Sequence, residues 1–270
     1  MAKARADQLL VERGLAESRA RAQALIMAGL VFVETRKVAK AGDMLADDAL
    51  LEVRGKDHPW VSRGGLKLDH GLRHFGIDVT GAVALDVGSS TGGFTDVLLT
   101  RGAARVYAVD VGTNQLAWKL RQDPRVVVLE QTNARALTAA HIPEPIDIIV
   151  CDASFIALAK VLDVPLGFAR RGAHLVALVK PQFEAGRAEV GKGGVVRDPA
   201  VHERVCADAA RWVRGKGWDV IGITPSPITG PEGNVEFLLA ARHVPPAGLA
   251  EAGVAVAMAD GDRPQDGGGG

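Results

Sequence analysis

The chain has 270 residues, 47% of them hydrophobic, and its 32 basic and 32 acidic side chains leave a formal net charge of zero. That is enough apolar material for one large domain and a small one, and the overall charge alone does not mark a nucleic-acid binder. Cys151 and Cys206 have no paired spacing, so no metal site or disulfide framework is indicated, and with no signal peptide and no apolar run of ~20 residues the expectation is a soluble, cytoplasmic protein.

Residues 1–54 form a first unit. "DQLLVERG" and "SRARAQALIMAG" both carry helical apolar spacing, with Ser18 as a cap for the second helix and Gly29 as its end. "LVFVETRKVAK" follows as strand, polar turn and strand, and "ALLEVRG" as a last strand. Arg5, Arg19, Arg21, Arg36 and Lys37 either gather on one side or form an ordinary solvated face. Residues 55–63, rich in Gly, Pro and charge, are expected to link this unit to the next. Trp60 lies in that linker, where it would set the orientation of the two units or simply pack between them.

Helical spacing resumes in "LKLDHGLRHF", and from Val83 the pattern alternates. "VALDVG", "RVYAVDVG", "RVVVLE", "IDIIVCD", "AHLVALVK", "WDVIGITP" and "NVEFLLAA" read as strands. Helical segments separate most of them, around 94–101, 115–122, 156–169 and 199–215. Strands apolar on both faces point to a parallel sheet covered by helices. The last two runs have no long helix between them and should pair antiparallel. The expected class is α/β, a Rossmann-like sheet of seven strands over residues 64–243 with an antiparallel last strand, preceded by a small α+β unit. The tail, 244–270, is Gly-rich, unpatterned and expected to be disordered. It holds four acids and one base, leaving 31 basic against 28 acidic residues in the remainder.

"DVGSSTGGF", 86–94, joins the first strand of the sheet to a helix. Neither the G-x-G-x-x-G fingerprint nor a Walker loop is present, and Asp86 would repel a pyrophosphate. An acid there suits an ammonium or sulfonium. Gly88, Ser89, Ser90, Thr91, Gly92, Gly93 and Phe94 make a turn that a ligand can approach closely. Asp110 and Val111 end the second strand, where a carboxylate can take both hydroxyls of a ribose, and Asn133 follows the third strand, where an adenine edge could lie. Together these fit S-adenosylmethionine, a cationic nucleoside without phosphate; a tight turn without a ligand would leave the two strand-end acids unexplained.

"CDASF", 151–155, bears on the methyl acceptor. It lacks the Asp/Asn-Pro-Pro-aromatic turn used on nucleobase amines, and Cys151 reads as a buried small hydrophobe rather than a thiolate nucleophile. Asp152 could converge with Lys67, Lys180 and Glu236, a set suited to a hydroxyl acceptor. Burial and a second ammonium favour a neutral lysine, carboxylates the charged one, and sequence leaves the balance open. Taken singly, Lys67 and Lys180 are ordinary surface lysines; Glu236 in an apolar run is harder to dismiss, because an unpaired buried carboxylate is costly.

With "VSRGGLKL", "ALDVGSSTGGFTD", "CDASFI", "LVKPQFE" and "VEFLL" in view, residues 4–243 resemble the TlyA family of ribosomal RNA 2′-O-methyltransferases, historically also labelled hemolysins. "ADQLLVERGLAESRARAQALIMAGLVFV" is similar to the "S-four" RNA-binding domain, and the remainder to an FtsJ-like methyltransferase domain of class I. The resemblance implies that Lys67, Asp152, Lys180 and Glu236 are the catalytic set, with Lys180 taking the proton. It also implies that the target is a cytidine ribose in RNA of the small or large ribosomal subunit. The hairpin "VETRKV" departs from the family in lacking a glycine. On this reading the basic front unit grips structured rRNA through phosphate and shape, joined by Arg63, Arg187 and Lys192, with the long loop 183–199 ordering over RNA. Competing readings are a non-catalytic RNA-binding assembly factor and a cytolysin, the latter disfavoured by the lack of a spanning or strongly amphipathic basic segment.

Overall fold

The computed structural model describes residues 3–16, 18–53, 58–230 and 233–244. The tail beyond Val244 lies outside the described residues.

The first body contains β1 (Lys3–Arg5), α1 (Ala6–Glu12), α2 (Arg19–Met27), β2 (Val31–Val33), β3 (Arg36–Lys37), β4 (Met44–Ala46) and β5 (Leu51–Val53). Ala6, Leu9 and Leu10 on one face of α1 bury against Ala22, Leu25 and Ile26 of α2, as the spacing predicts. Ser18 caps α2, its hydroxyl accepting from the Arg21 amide at 3.2 Å. The sheet order is β3-β2-β5. Where the β2–β3 turn lacks glycine, Glu34 itself takes the left-handed conformation, at φ 54°. The pairing of β1 with β4 was not foreseen, because two three-residue strands some 40 positions apart show no periodicity.

The second body runs α3 (Gly64–His74), β6 (Val83–Val87), α4 (Gly93–Thr100), β7 (Arg105–Val109), α5 (Trp118–Arg121) and β8 (Val126–Leu129). It continues with β9 (Ile146–Cys151), α6 (Leu158–Val161), β10 (Ala169–Val179), α7 (Pro181–Glu184), α8 (Pro199–Gly215), β11 (Trp218–Pro225) and β12 (Phe237–His243). Its seven strands lie in the order β11-β12-β10-β9-β6-β7-β8. The five from β10 to β8 pair parallel, and β12 is antiparallel to both its neighbours. The expected sheet with its antiparallel last strand is therefore present. Alternate strand residues feed two cores: Leu85 and Ile149 face α6 and α8, whereas Ala84 and Ile148 face α3 and α4.

Three expectations change. The helix expected over 156–169 shrinks to α6 and a 3₁₀ turn at Pro165–Phe168. Glu236, expected inside the last strand, stands one residue before it. Residues 58–63 lie against the second body rather than spanning a gap. The Val61 amide donates to Asp96 on α4 at 2.7 Å, and buried Trp60 fills the space over Gly65, where an added Cβ would fall 2.6 Å from the Trp60 Cβ.

Candidate active site

Every strand of the parallel set ends on one edge of the sheet, and two adjoining cavities open there. The first, about 260 Å³, is walled by the turn after β6, the start of α3 and the ends of β9 and β10. Lys67, Asp152, Lys180 and Glu236 all line it. Their heads form a chain. Glu236 Oε2 lies 2.6 Å from Lys67 Nζ, Lys67 Nζ 3.6 Å from Asp152 Oδ2, and Asp152 Oδ1 2.6 Å from Lys180 Nζ. Lys67, Lys180 and Glu236 are 7%, 5% and 1% exposed, so these charges sit where water screens them little. Two cations and two carboxylates balance, which is the condition for keeping them buried.

Glu236 keeps one oxygen, Oε1, with no partner among the described residues. That oxygen side faces Gly230, where a Cβ would lie 2.8 Å from Glu236 Cδ. At Gly64, by contrast, an added Cβ would fall 3.7 Å from Asp152 Oδ2, an ordinary contact.

The second cavity, about 510 Å³, lies between the ends of β6, β7 and β9 and is shared with the first at Gly88, Ser90, Asp152 and Ser154. Its size suits a nucleoside-sized ligand. Asp110, Val111 and Asn133 line it, together with the apolar Val87, Val109, Ala153 and Ile156. The Asp110 carboxylate accepts from the Ser90 and Gly112 amides at 2.8 and 2.7 Å, which fixes it at the rim with lone pairs remaining for a ligand. Asn133 Oδ1 accepts from the Arg135 amide at 3.0 Å, which orients the side chain and leaves it one lone pair and the NH₂ for an adenine edge.

Within the glycine turn, Gly88 has φ 81°, and a Cβ there would meet the Ala153 backbone at 2.9 Å. Ser89, Thr91, Gly93 and Phe94 line the first cavity; Gly92, at φ 94°, closes against Leu116 and Leu120 as the start of α4 and lines neither. Asp86 also lines neither, and this departs from the expected contact with a cationic ligand. It is wholly buried beneath the turn, with Oδ2 accepting from Thr95 Oγ1 at 2.7 Å and Oδ1 unpartnered among the described residues. Burial pushes its carboxyl up to about 7. Cys151 is fully buried, and burial pushes its thiol up to about 12, which suits a core residue and not a nucleophile.

Sequence reasoning missed three contributors. Ser154 Oγ accepts from Lys180 Nζ at 2.9 Å; it was within the quoted "CDASF", but a loop serine carries no distinguishing pattern. Glu130, at the end of β8, accepts from the amides of Asn114, Gln115 and Leu116 and pairs with Arg121. The Arg121 guanidinium, foremost, brings its carboxyl down to about 2, so it pins the loop beside Val111 at any physiological pH. Phe155 stands 89% exposed at the mouth, at φ 65°, with its ring 5.1 Å from that of Phe183.

The basic residues are scattered. Arg5 and Arg19 both bind buried Asp7, at 3.0 and 3.1 Å, whereas Arg36 and Lys37 are exposed on β3 and Arg21 is half-buried on α2. Arg63 lines the first cavity. Arg187 and Lys192 are exposed on 3₁₀ turns of the 183–199 loop. That loop, expected to order on RNA, is already pinned: Asn234 donates to the Gly194 carbonyl and accepts from the Val196 amide, and Arg204 pairs with Glu189.

Residues 60–243 match the FtsJ-like methyltransferase family and residues 4–49 the S4 domain. The 16S/23S rRNA (cytidine-2′-O)-methyltransferase TlyA of Mycobacterium tuberculosis is 51% identical over 238 residues, 88% of this chain and 89% of that one. Hemolysin A of Brachyspira hyodysenteriae is 41% identical over 87% of this chain and 98% of its own. A solved structure from Streptococcus thermophilus, described as a candidate hemolysin, superposes with a TM-score of 0.73 at 42% identity, covering 90% of each chain. Among the described residues no helix is long and apolar enough to cross a membrane.

Proposed function

The chain belongs to the TlyA family of rRNA 2′-O-methyltransferases, and from that premise we propose that it moves the methyl group of S-adenosylmethionine onto the ribose 2′-hydroxyl of a cytidine in ribosomal RNA. The observation that carries this reading is the Glu236–Lys67–Asp152–Lys180 chain, buried except at Asp152, which opens directly onto a nucleoside-sized cleft with a carboxylate at its rim. The cleft residues fit that cofactor: Asp110 offers acceptors to ribose hydroxyls, apolar side chains flank a flat base, and Gly88, bare of a Cβ, lets the turn close against the Ala153 backbone on the cleft wall. When bound, the cofactor supplies an electrophilic methyl on a positively charged sulfur.

Lys180, as the amine, takes the proton of the ribose hydroxyl, whose O–H electron pair becomes the new O–C bond. Asp152 lies against both lysines and fixes the distance between them. Lys67, held by Glu236, keeps a positive charge beside the oxygen as it becomes anionic. With the cofactor bound, the methyl–sulfur bond would break as the O–C bond forms, its electron pair leaving on sulfur; the chain's part is to hold the ribose oxygen in place for that exchange. Asp86 supports the turn from below.

In the front body, Arg5 and Arg19 each keep a guanidinium edge free of Asp7, and with Arg21, Arg36 and Lys37 they provide phosphate contacts to structured rRNA in a ribosomal subunit. Arg63 at the first cavity, and Arg187 and Lys192 on the 183–199 loop, are separate contacts in this reading. Such a substrate places the enzyme in the cytoplasm. The decisive experiment incubates each purified ribosomal subunit with methyl-labelled cofactor and maps the modified ribose by primer extension. Label in a cytidine 2′-O-methyl group is expected. Binding to a subunit with no label transferred would make the protein an assembly factor instead.

A further inference from the structure

Three oxygens hold the Lys180 amine. Asp152 Oδ1, at 2.6 Å, pairs with it by charge without hydrogen-bond alignment, and the Asp152 carbonyl, at 3.2 Å, accepts a hydrogen bond from it; neither oxygen can donate. The third, Ser154 Oγ at 2.9 Å, is a hydroxyl and can either accept or donate. As an ammonium, Lys180 donates to the carbonyl and to the hydroxyl and sets its charge against Oδ1. As an amine it carries a lone pair in place of one hydrogen, and that lone pair needs a donor. Ser154 is the one partner of the three able to reverse direction when the proton count on Lys180 changes.

We propose that Ser154 is a positioning residue for Lys180, accepting from it as an ammonium and donating to it as an amine, so that the lone pair is held toward the junction of the two cavities. Ser154 lines both of them, so a lone pair aimed at its hydroxyl is aimed where the acceptor oxygen and the methyl donor must meet. The incoming ribose hydroxyl displaces the Ser154 O–H from that lone pair. Its proton passes to Lys180 Nζ, and Ser154 returns to accepting from the new ammonium. No further reactant is needed. Were Ser154 only a surface loop residue, deleting its hydroxyl would leave the rate unchanged.

The inference rests on Lys180 taking the proton, so the test includes a variant for each. With the full chain, ribosomal subunits and labelled cofactor, Ser154→Ala should lower kcat about 10- to 100-fold, with the KM for RNA and the cofactor Kd changed less than about twofold. Ser154→Thr, which restores the hydroxyl, should return kcat to within about threefold of wild type. Wild-type kcat in Ser154→Ala, a loss carried by KM or Kd, or failure of Ser154→Thr to rescue would overturn the role of Ser154, even with Lys180→Ala inactive. A Lys180→Ala variant transferring methyl at the wild-type rate would overturn the base assignment and the inference with it.

Discussion

Stability and activity should separate at the Lys67–Glu236 pair. Lys67 Nζ lies 2.6 Å from Glu236 and 3.6 Å from Asp152, and its residue is 7% exposed. Glu236→Leu removes the nearer partner and leaves an ammonium with one longer contact. Orphaning one member of a buried pair costs about 3–5 kcal/mol, and the surviving Asp152 contact argues for the lower end. For a body of this size, about 3 kcal/mol lowers the melting temperature by roughly 6–12 °C. Adding Lys67→Met should recover most of that loss, since Met and Leu leave no buried charge and the Asp152–Lys180 pair at 2.6 Å closes on itself. Neither variant should transfer methyl, with rates down by about 10²-fold or more. Thermal and urea denaturation, alongside label transfer to ribosomal subunits, read the two effects independently. A double variant no more stable than Glu236→Leu would show that the orphaned ammonium is not the source of the loss. Wild-type transfer in either would remove the pair from the chemistry.

Gly88→Ala puts a Cβ 2.9 Å from the Ala153 backbone at φ 81°, so the turn must shift; calorimetry should show cofactor affinity weakened at least about tenfold, and an unchanged Kd would contradict the cleft assignment. Asp86, with its carboxyl pushed up to about 7 against 3.8 in the unfolded chain, binds its proton more tightly when folded. Stability from this residue therefore falls as pH rises from about 4 to about 7. Asp86→Asn should flatten that slope, gaining on wild type in urea midpoint at pH 8 relative to pH 5; a parallel slope would refute the assignment. Cys151, with its thiol pushed up to about 12 by burial, should resist alkylation at pH 8 in the folded protein, and Cys151→Ala should still transfer methyl. A covalent adduct between Cys151 and RNA would reverse that conclusion.

Legibility in the sequence followed the physics of each element. The β-strands of the large sheet were readable because Val, Ile and Leu on both faces leave little alternative, and Asp110 was readable because a carboxylate ends such a run. The Ser18 cap and the Gly29 stop announced α2 in the same way. Asp86 and Asp110 look alike in sequence, yet one is entombed beneath the turn and the other faces the cleft; only the direction of the side chain distinguishes them. Trp60 read as linker because Pro and Gly surround it, whereas Gly65 makes the cavity that draws it into the core. Ser154 meets Lys180 through one hydrogen bond and Glu130 gathers three loop amides and Arg121, and no spacing rule encodes either arrangement.

The placing of β12 between β10 and β11 has a consequence for how the molecule is made. Glu236 and Lys67 are 169 positions apart, and the strand that Glu236 precedes is the last of the sheet to leave the ribosome. Until it arrives, β10 presents an apolar unpaired margin to which other nascent chains can adhere. Synthesis halted before residue 237 would thus yield a product both catalytically silent and prone to clump, and the slowest phase of refolding should be the seating of this strand.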